Sequence, residues 1–215
     1  MHPARKKERL MPTNNTLLKA STSMVQILRW FTLLIWLLWF LIYWHGGARA
    51  LADIRKSVQE SGHLDTALML TIALGSLALA ASGLEIASGW VQVSQSLWLA
   101  GIGALLTLLG VAGTFYCRHA LGAMWTAETT LQPSHQIVGS GPYGIVRHPI
   151  YSTVIVMYAG MALTFASWSA TIAVTVIVLA YVLKARLEDN FLAEQLPGYR
   201  EYKTKVRFRL IPGIW

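Results

Sequence analysis

The stretch IYSTVIVMYAGMALTFASWSATIAVTVIVLAYVLKA, from Ile150 to Ala185, decides the fold. It contains no Lys, Arg, Asp or Glu before Lys184. About 20 apolar residues cross the hydrocarbon core of a bilayer, so this run is too long for one crossing and long enough for two. Ile150–Trp168 and Ser169–Ala185 therefore read as two helices folded back into a hairpin that turns near Ala166–Ser169. The two ends of a hairpin lie side by side. The polar segments that flank it, 118–149 before and 186–215 after, must then meet in space.

Three further apolar blocks lie upstream: Trp30–Trp44, extendable back to Met24 if Arg29 snorkels, then Leu64–Leu84 and Leu97–Cys117. The expectation is an all-α, polytopic membrane protein with about five transmembrane helices. It has a basic N-terminal segment (1–23), three transmembrane helices (24–117) and a catalytic region (118–215) formed by the connector, the hairpin 150–185 and a C-terminal polar segment. Composition agrees. Of 215 residues 54% are hydrophobic and 13% charged, against about 25% charged in soluble domains. The net charge is +8, but Lys and Arg flank apolar segments, which points to anionic headgroups of the lipid bilayer rather than to nucleic acid. The single cysteine, Cys117, excludes an intramolecular disulfide and a cysteine metal cluster. Ala48-Arg49-Ala50 has the form of a signal-peptidase site, yet the preceding stretch is tryptophan-rich and its basic region long, so cleavage is not expected.

Orientation follows from the cations. Arg49, Arg55, Lys56, Arg118, Arg147, Lys184, Arg186, Arg200, Lys203, Lys205, Arg207 and Arg209 would share one face, leaving six others, all near the N-terminus. The positive-inside rule then places the connector, the tail and the active site in the cytoplasm. The basic N-terminus dissents, since it would have to be translocated.

The polar flanks carry the chemistry. The first contains Gly139-Ser140-Gly141-Pro142-Tyr143 and then Arg147-His148-Pro149-Ile150-Tyr151. The second contains Arg186-Leu187-Glu188-Asp189, Tyr199, Tyr202 and Ile211-Pro212. Upstream lie Arg118, Gly122 and Trp125, and His135-Gln136-Ile137-Val138. Each has a plain structural reading when taken alone. Arg-His-Pro is equally an interfacial turn that opens a helix with proline. Glu188-Asp189 is equally a solvated helix face, Tyr199 and Tyr202 read as interfacial anchors, and Arg118 as a snorkelling cation. His135 has no second ligand at a metal-binding spacing, and no metal is expected.

In combination and order, these motifs resemble the isoprenylcysteine carboxyl methyltransferase family over roughly half the chain, with parts shared by phospholipid methyltransferases and membrane sterol reductases. The chain departs from many relatives in having Ser152-Thr153 where they place a glycine, and Asp189 in an acidic pair that is usually Glu-Glu. The resemblance implies S-adenosyl-L-methionine as cofactor, contacted by His135, Gln136, Ile137, Val138, Tyr143, Arg147, His148, Pro149, Ile150, Tyr151, Glu188 and Asp189. It implies Arg118 and Arg186 as catalytic and substrate-facing, with Trp125 beside the substrate, which would be lipophilic and enter from the membrane. Methyl transfer to a carboxylate needs no general base, because the acceptor is already ionised at neutral pH. Alignment and water exclusion are what help, and an arginine can orient the acceptor. A phospholipid or small-amine methyltransferase, an NADPH-dependent sterol-type reductase and a non-enzymatic scaffold are the other readings. Binding of S-adenosylhomocysteine but not NADPH separates them.

Overall fold

A computed structural model describes residues 14–52, 54–91, 93, 95–124 and 136–215. Helices α1 (Asn14–Ala52), α2 (Ile54–Ala87) and α3 (Leu97–Leu121) precede the hairpin α4 (Pro149–Phe165) and α5 (Trp168–Gln195), and the short α6 (Tyr199–Lys205) follows. No strand occurs among the described residues. Among the described residues, four stretches are long and apolar enough to cross a membrane: Lys19–Tyr43, Gly62–Ala87, Leu97–Leu121 and Trp168–Gln195. The chain is an all-α polytopic membrane protein. Gly62, at φ +83°, breaks α2 just where its span begins.

The hairpin forms where the sequence places it. Ala166 turns through the left-handed region, its N–H bonded to the Ala162 carbonyl at 2.8 Å. Ser167 then caps α5 by accepting from the Ala170 N–H at 3.1 Å. The two arms are unequal. The 17 residues of α4, at about 1.5 Å each, reach roughly 26 Å, short of a hydrocarbon core of about 30 Å. By contrast, α5 continues past Ala185 to Gln195, since no Gly or Pro interrupts it before Pro197, and it carries Glu188 and Asp189 with it. Trp90, Trp98 and Trp168 stand exposed at the opposite end of the bundle, as an interfacial belt does.

Close packing of α3 on α4 sets the register of the site. Gly103, Thr107, Gly110 and Thr114 repeat along one buried face of α3, and Gly160 and Thr164 answer from α4. Such small residues let helices approach closely in lipid. A Cβ on Gly110 would lie 2.5 Å from the Met157 backbone nitrogen, and one on Gly160 2.5 Å from that of Thr107. Backbone cannot swing aside as a side chain can. Gly110→Ala is therefore expected to destabilise the fold by about 1–3 kcal/mol. Gly101→Ala, where nothing lies within 4 Å, should be near neutral. Thermal unfolding of the two variants in detergent checks the difference.

Two charged residues differ from expectation. Arg29 does not snorkel: it is buried, with Nη2 donating to the Val93 carbonyl at 3.0 Å and Nη1 to Gln26 at 3.1 Å. Lys184, counted with the cytoplasmic cations, is buried too and pairs with Asp65 of α2 at 2.5 Å. Each finds polar partners within the protein, which offset much of the cost of burying its charge, although the Arg29 Nε is left without one.

Candidate active site

The N-terminus of α4 organises the polar groups. Pro149 opens the helix at a position where its missing N–H costs nothing. Just before it, the Arg147 and His148 N–H groups donate to the carbonyls of Phe208 and Arg209, each at 2.9 Å. This lays the C-terminal segment along the connector. Ser152 extends the seam by donating to the Leu210 carbonyl at 2.6 Å. The two polar flanks of the hairpin thus meet.

Asp189 is the hub. It is fully buried and takes a two-pronged grip from Arg147, whose Nε reaches Oδ1 at 2.9 Å and Nη2 reaches Oδ2 at 3.0 Å. Arg209 Nε donates to Oδ2 at 2.8 Å and the Tyr199 hydroxyl to Oδ1 at 2.9 Å. His148 Nε2 stands 3.4 Å from Oδ1 and Lys203 Nζ 3.5 Å from Oδ2. The remaining arm of Arg147 donates to the Val206 and Arg207 carbonyls at 2.6 and 2.7 Å. Arg147 and Asp189, both expected against the cofactor, are here partners of one another.

Beside this hub lies a more open edge. The Tyr151 hydroxyl donates to Glu188 Oε2 at 2.6 Å. His148 stacks on Tyr151 with ring centroids 5.5 Å apart and planes 3° from parallel, and its Nδ1 lies 3.6 Å from Glu188 Oε2. Tyr181 of α5 packs on the Tyr151 ring at 5.1 Å. The Glu188 side chain keeps 27% of its surface exposed, against none for Asp189. Two adjacent carboxylates thus have different environments, one locked and one facing outward.

Tyr199 and Tyr202, read from sequence as interfacial anchors, are buried instead. Tyr202 donates to the Tyr143 carbonyl at 2.6 Å and packs with Tyr199, Val206 and Ile137. Burial pushes the Tyr202 phenol up to about 12, and pushes Tyr143 and Tyr199 higher, so all three stay neutral donors near neutral pH. The hydroxyl of Tyr143 is buried without a hydrogen-bond partner, a costly state that a ligand acceptor would relieve.

Of the other expected residues, Gln136 is exposed, Ile137 and Val138 half-buried, and Ile150 packs on the main core. His135 and Trp125 lie outside the described residues. Arg118, at the end of α3, places its guanidinium 4.8 Å from the Tyr43 ring centroid. Arg186 is exposed on α5, 5.3 Å from the Trp215 ring centroid. Arg209, Tyr181 and Trp215 were missed, because nothing in their spacing marks them: Tyr181 meets Tyr151 through the packing of α5 on α4, and Arg209 and Trp215 arrive only with the returning C-terminal segment.

The matching family model is that of the isoprenylcysteine carboxyl methyltransferase (ICMT) family, over residues 103–194. The chain is 30% identical over 110 residues to the cobalt-zinc-cadmium resistance protein CzcN of Cupriavidus metallidurans, covering 49% of each chain. It is 30% identical over 107 residues to the nickel-cobalt-cadmium resistance protein NccN of Alcaligenes xylosoxydans xylosoxydans, again 49% of each. The chain spans about half the length of these relatives.

Proposed function

We propose that this chain, which over residues 103–194 matches the isoprenylcysteine carboxyl methyltransferase family, is an S-adenosylmethionine-dependent carboxyl O-methyltransferase acting on a lipophilic, prenylcysteine-like carboxylate. The match to a methyltransferase family supports the reaction type, and the four stretches long and apolar enough to cross a membrane support an acceptor delivered by the bilayer. The observation that carries the cofactor reading is the Glu188–Tyr151–His148 edge at the start of α4.

The donor set fits the cofactor. A sulfonium nucleoside amino acid asks for an acidic acceptor, donors for a carboxylate, and aromatic walls. Glu188 offers the acceptor, the stacked His148 and Tyr151 the wall, and the buried Tyr143 hydroxyl a donor. When bound, such a cofactor supplies an electrophilic methyl group. The chain's own residues then bind, orient and keep out water. In this reading Glu188, His148, Tyr151 and Tyr143 hold the cofactor, with Gln136, Ile137, Val138, Pro149 and Ile150 around it. Asp189 and Arg147 hold that edge in place, and Arg118 and Arg186 orient the acceptor carboxylate. No proton needs to be removed from a carboxylate acceptor.

S-adenosylhomocysteine titrated calorimetrically into detergent-purified protein tests this reading, with NADPH as the contrasting ligand. Wild type should bind the former only. Glu188→Gln and His148→Ala should each weaken binding by roughly tenfold, the worth of a hydrogen bond to a charged group, while leaving the protein folded. Unchanged affinity in both variants would sink the site assignment.

The cytoplasmic placement of the site is also a proposal, supported by the cation count. Single cysteines at Lys203 and Ser88 in a Cys117→Ala background should differ in intact cells. An impermeant thiol reagent should label position 88 and spare position 203. The reverse pattern overturns the orientation.

The metal-resistance names of the relatives suggest a second, compatible reading: methylation of a membrane component that supports metal tolerance. Growth of a deletion strain in cobalt, zinc and cadmium, with and without the Glu188→Gln gene, tests it.

A further inference from the structure

Outside the groups assigned above, the indole of Trp215 lies against two guanidiniums. Arg186 Cζ is 5.3 Å and Arg209 Cζ 5.0 Å from its ring centroid. The backbone fixes the ring there. The N–H groups of Leu210 and Ile211 donate to the Trp215 carbonyl at 2.9 and 3.0 Å, and the N–H of Trp215 returns to the Ile211 carbonyl at 3.1 Å. Gly213, at φ +81°, closes this turn, a conformation that side-chain-bearing residues rarely adopt.

The two arginines differ in freedom. Arg209 is already committed, its Nε bonded to the fully buried Asp189. Arg186 is exposed, and a long exposed side chain samples many rotamers. An aromatic face backed by a fixed arginine narrows that choice. Stacking engages the flat face of a guanidinium and leaves its N–H edge, the edge that matches a carboxylate through two parallel bonds. The charges point the same way. The carboxylate of Asp189 is shared by Arg147, Arg209 and Lys203, and with Arg186 these cations outnumber the two carboxylates of Glu188 and Asp189. A cationic cluster beside a bilayer favours a ligand with an acidic head.

We propose that Trp215 is a positioning residue for the acceptor: it holds Arg186 so that the guanidinium edge receives the carboxylate of an amphiphilic acceptor. This rests on the methyl-transfer reading of the site. An interfacial anchor would explain a tryptophan here equally well, but an anchor would not discriminate between acidic and basic headgroups.

The test is acceptor binding by the full-length protein in detergent without cofactor. N-acetyl-S-farnesylcysteine and farnesylamine are titrated into wild type, Trp215→Phe and Trp215→Leu. Trp215→Leu should weaken binding of the carboxylate about threefold to fivefold, the loss of one solvent-exposed cation–π contact. Binding of the amine should not change, and Trp215→Phe, which keeps an aromatic face, should recover most of the loss. Equal losses for both ligands, or no loss for either, would overturn the proposal. Should Trp215→Leu fail to fold, a double-mutant cycle between Trp215→Phe and Arg186→Gln decides, coupled losses supporting the proposal and additive ones overturning it. S-adenosylhomocysteine binding by wild type is measured alongside. Its absence would remove the methyl-transfer reading while leaving the carboxylate-over-amine comparison intact.

Discussion

Asp189→Ala is expected to destabilise the protein by about 3–5 kcal/mol, the range for breaking a buried ion pair by removing one partner. The reason is that the variant leaves Arg147 buried with no carboxylate facing Nε and Nη2. It also deprives Arg209 and Tyr199 of their acceptor. The connector, α5 and the C-terminal segment are joined at this one side chain, so the polar lobe should loosen as a unit. Removing Arg147 as well should not restore stability, because Arg209 and Lys203 would still face the gap. Thermal unfolding monitored by near-ultraviolet circular dichroism measures this, and wild-type melting of Asp189→Ala would remove Asp189 from the centre of the fold. Glu188→Gln, one residue away on a more exposed edge, should melt close to wild type, so the adjacent acids separate into a structural role and a ligand-facing one.

Arg118→Lys is expected to lower turnover about tenfold to a hundredfold, as misplacement of an acceptor does, while S-adenosylhomocysteine binds normally. Arg118 sits at the end of α3 with its guanidinium over the Tyr43 ring, where lipid gives way to water. Lysine keeps the charge but loses the planar fork and its stacking on an aromatic face. Transfer of a radiolabelled methyl group to N-acetyl-S-farnesylcysteine reads the loss. Full activity in both Arg118→Lys and Arg118→Ala would make Arg118 an interfacial anchor. Lost cofactor affinity would assign it to the other ligand.

The motifs around the site were legible because their chemistry is local. Arg147-His148-Pro149 announces a helix start at a polar boundary, and it is one: proline opens α4 and the two residues before it bond to the returning tail. Glu188-Asp189 announces a pair of carboxylates, and both lie beside His148. What the motif could not say is which acid faces outward, since neighbouring helical positions point about 100° apart and burial depends on what packs against each. Tyr199 and Tyr202 were read as anchors for the same reason, as tyrosine suits an interface and a buried hydrogen bond equally.

The sequence by itself determined the membrane setting, the hairpin and the meeting of its polar flanks. Apolar length against a fixed bilayer thickness leaves little choice of architecture, and a charge-free run long enough for two crossings must fold back. Tertiary structure alone decided which polar groups partner one another at the site. The small-residue seam of Gly103, Gly110 and Gly160 sets how closely α3 approaches α4. The return of the C-terminal segment brings Arg209 and Trp215 to residues far from them in sequence. These contacts join positions whose spacing along the chain has no period, so only the packed molecule could reveal them.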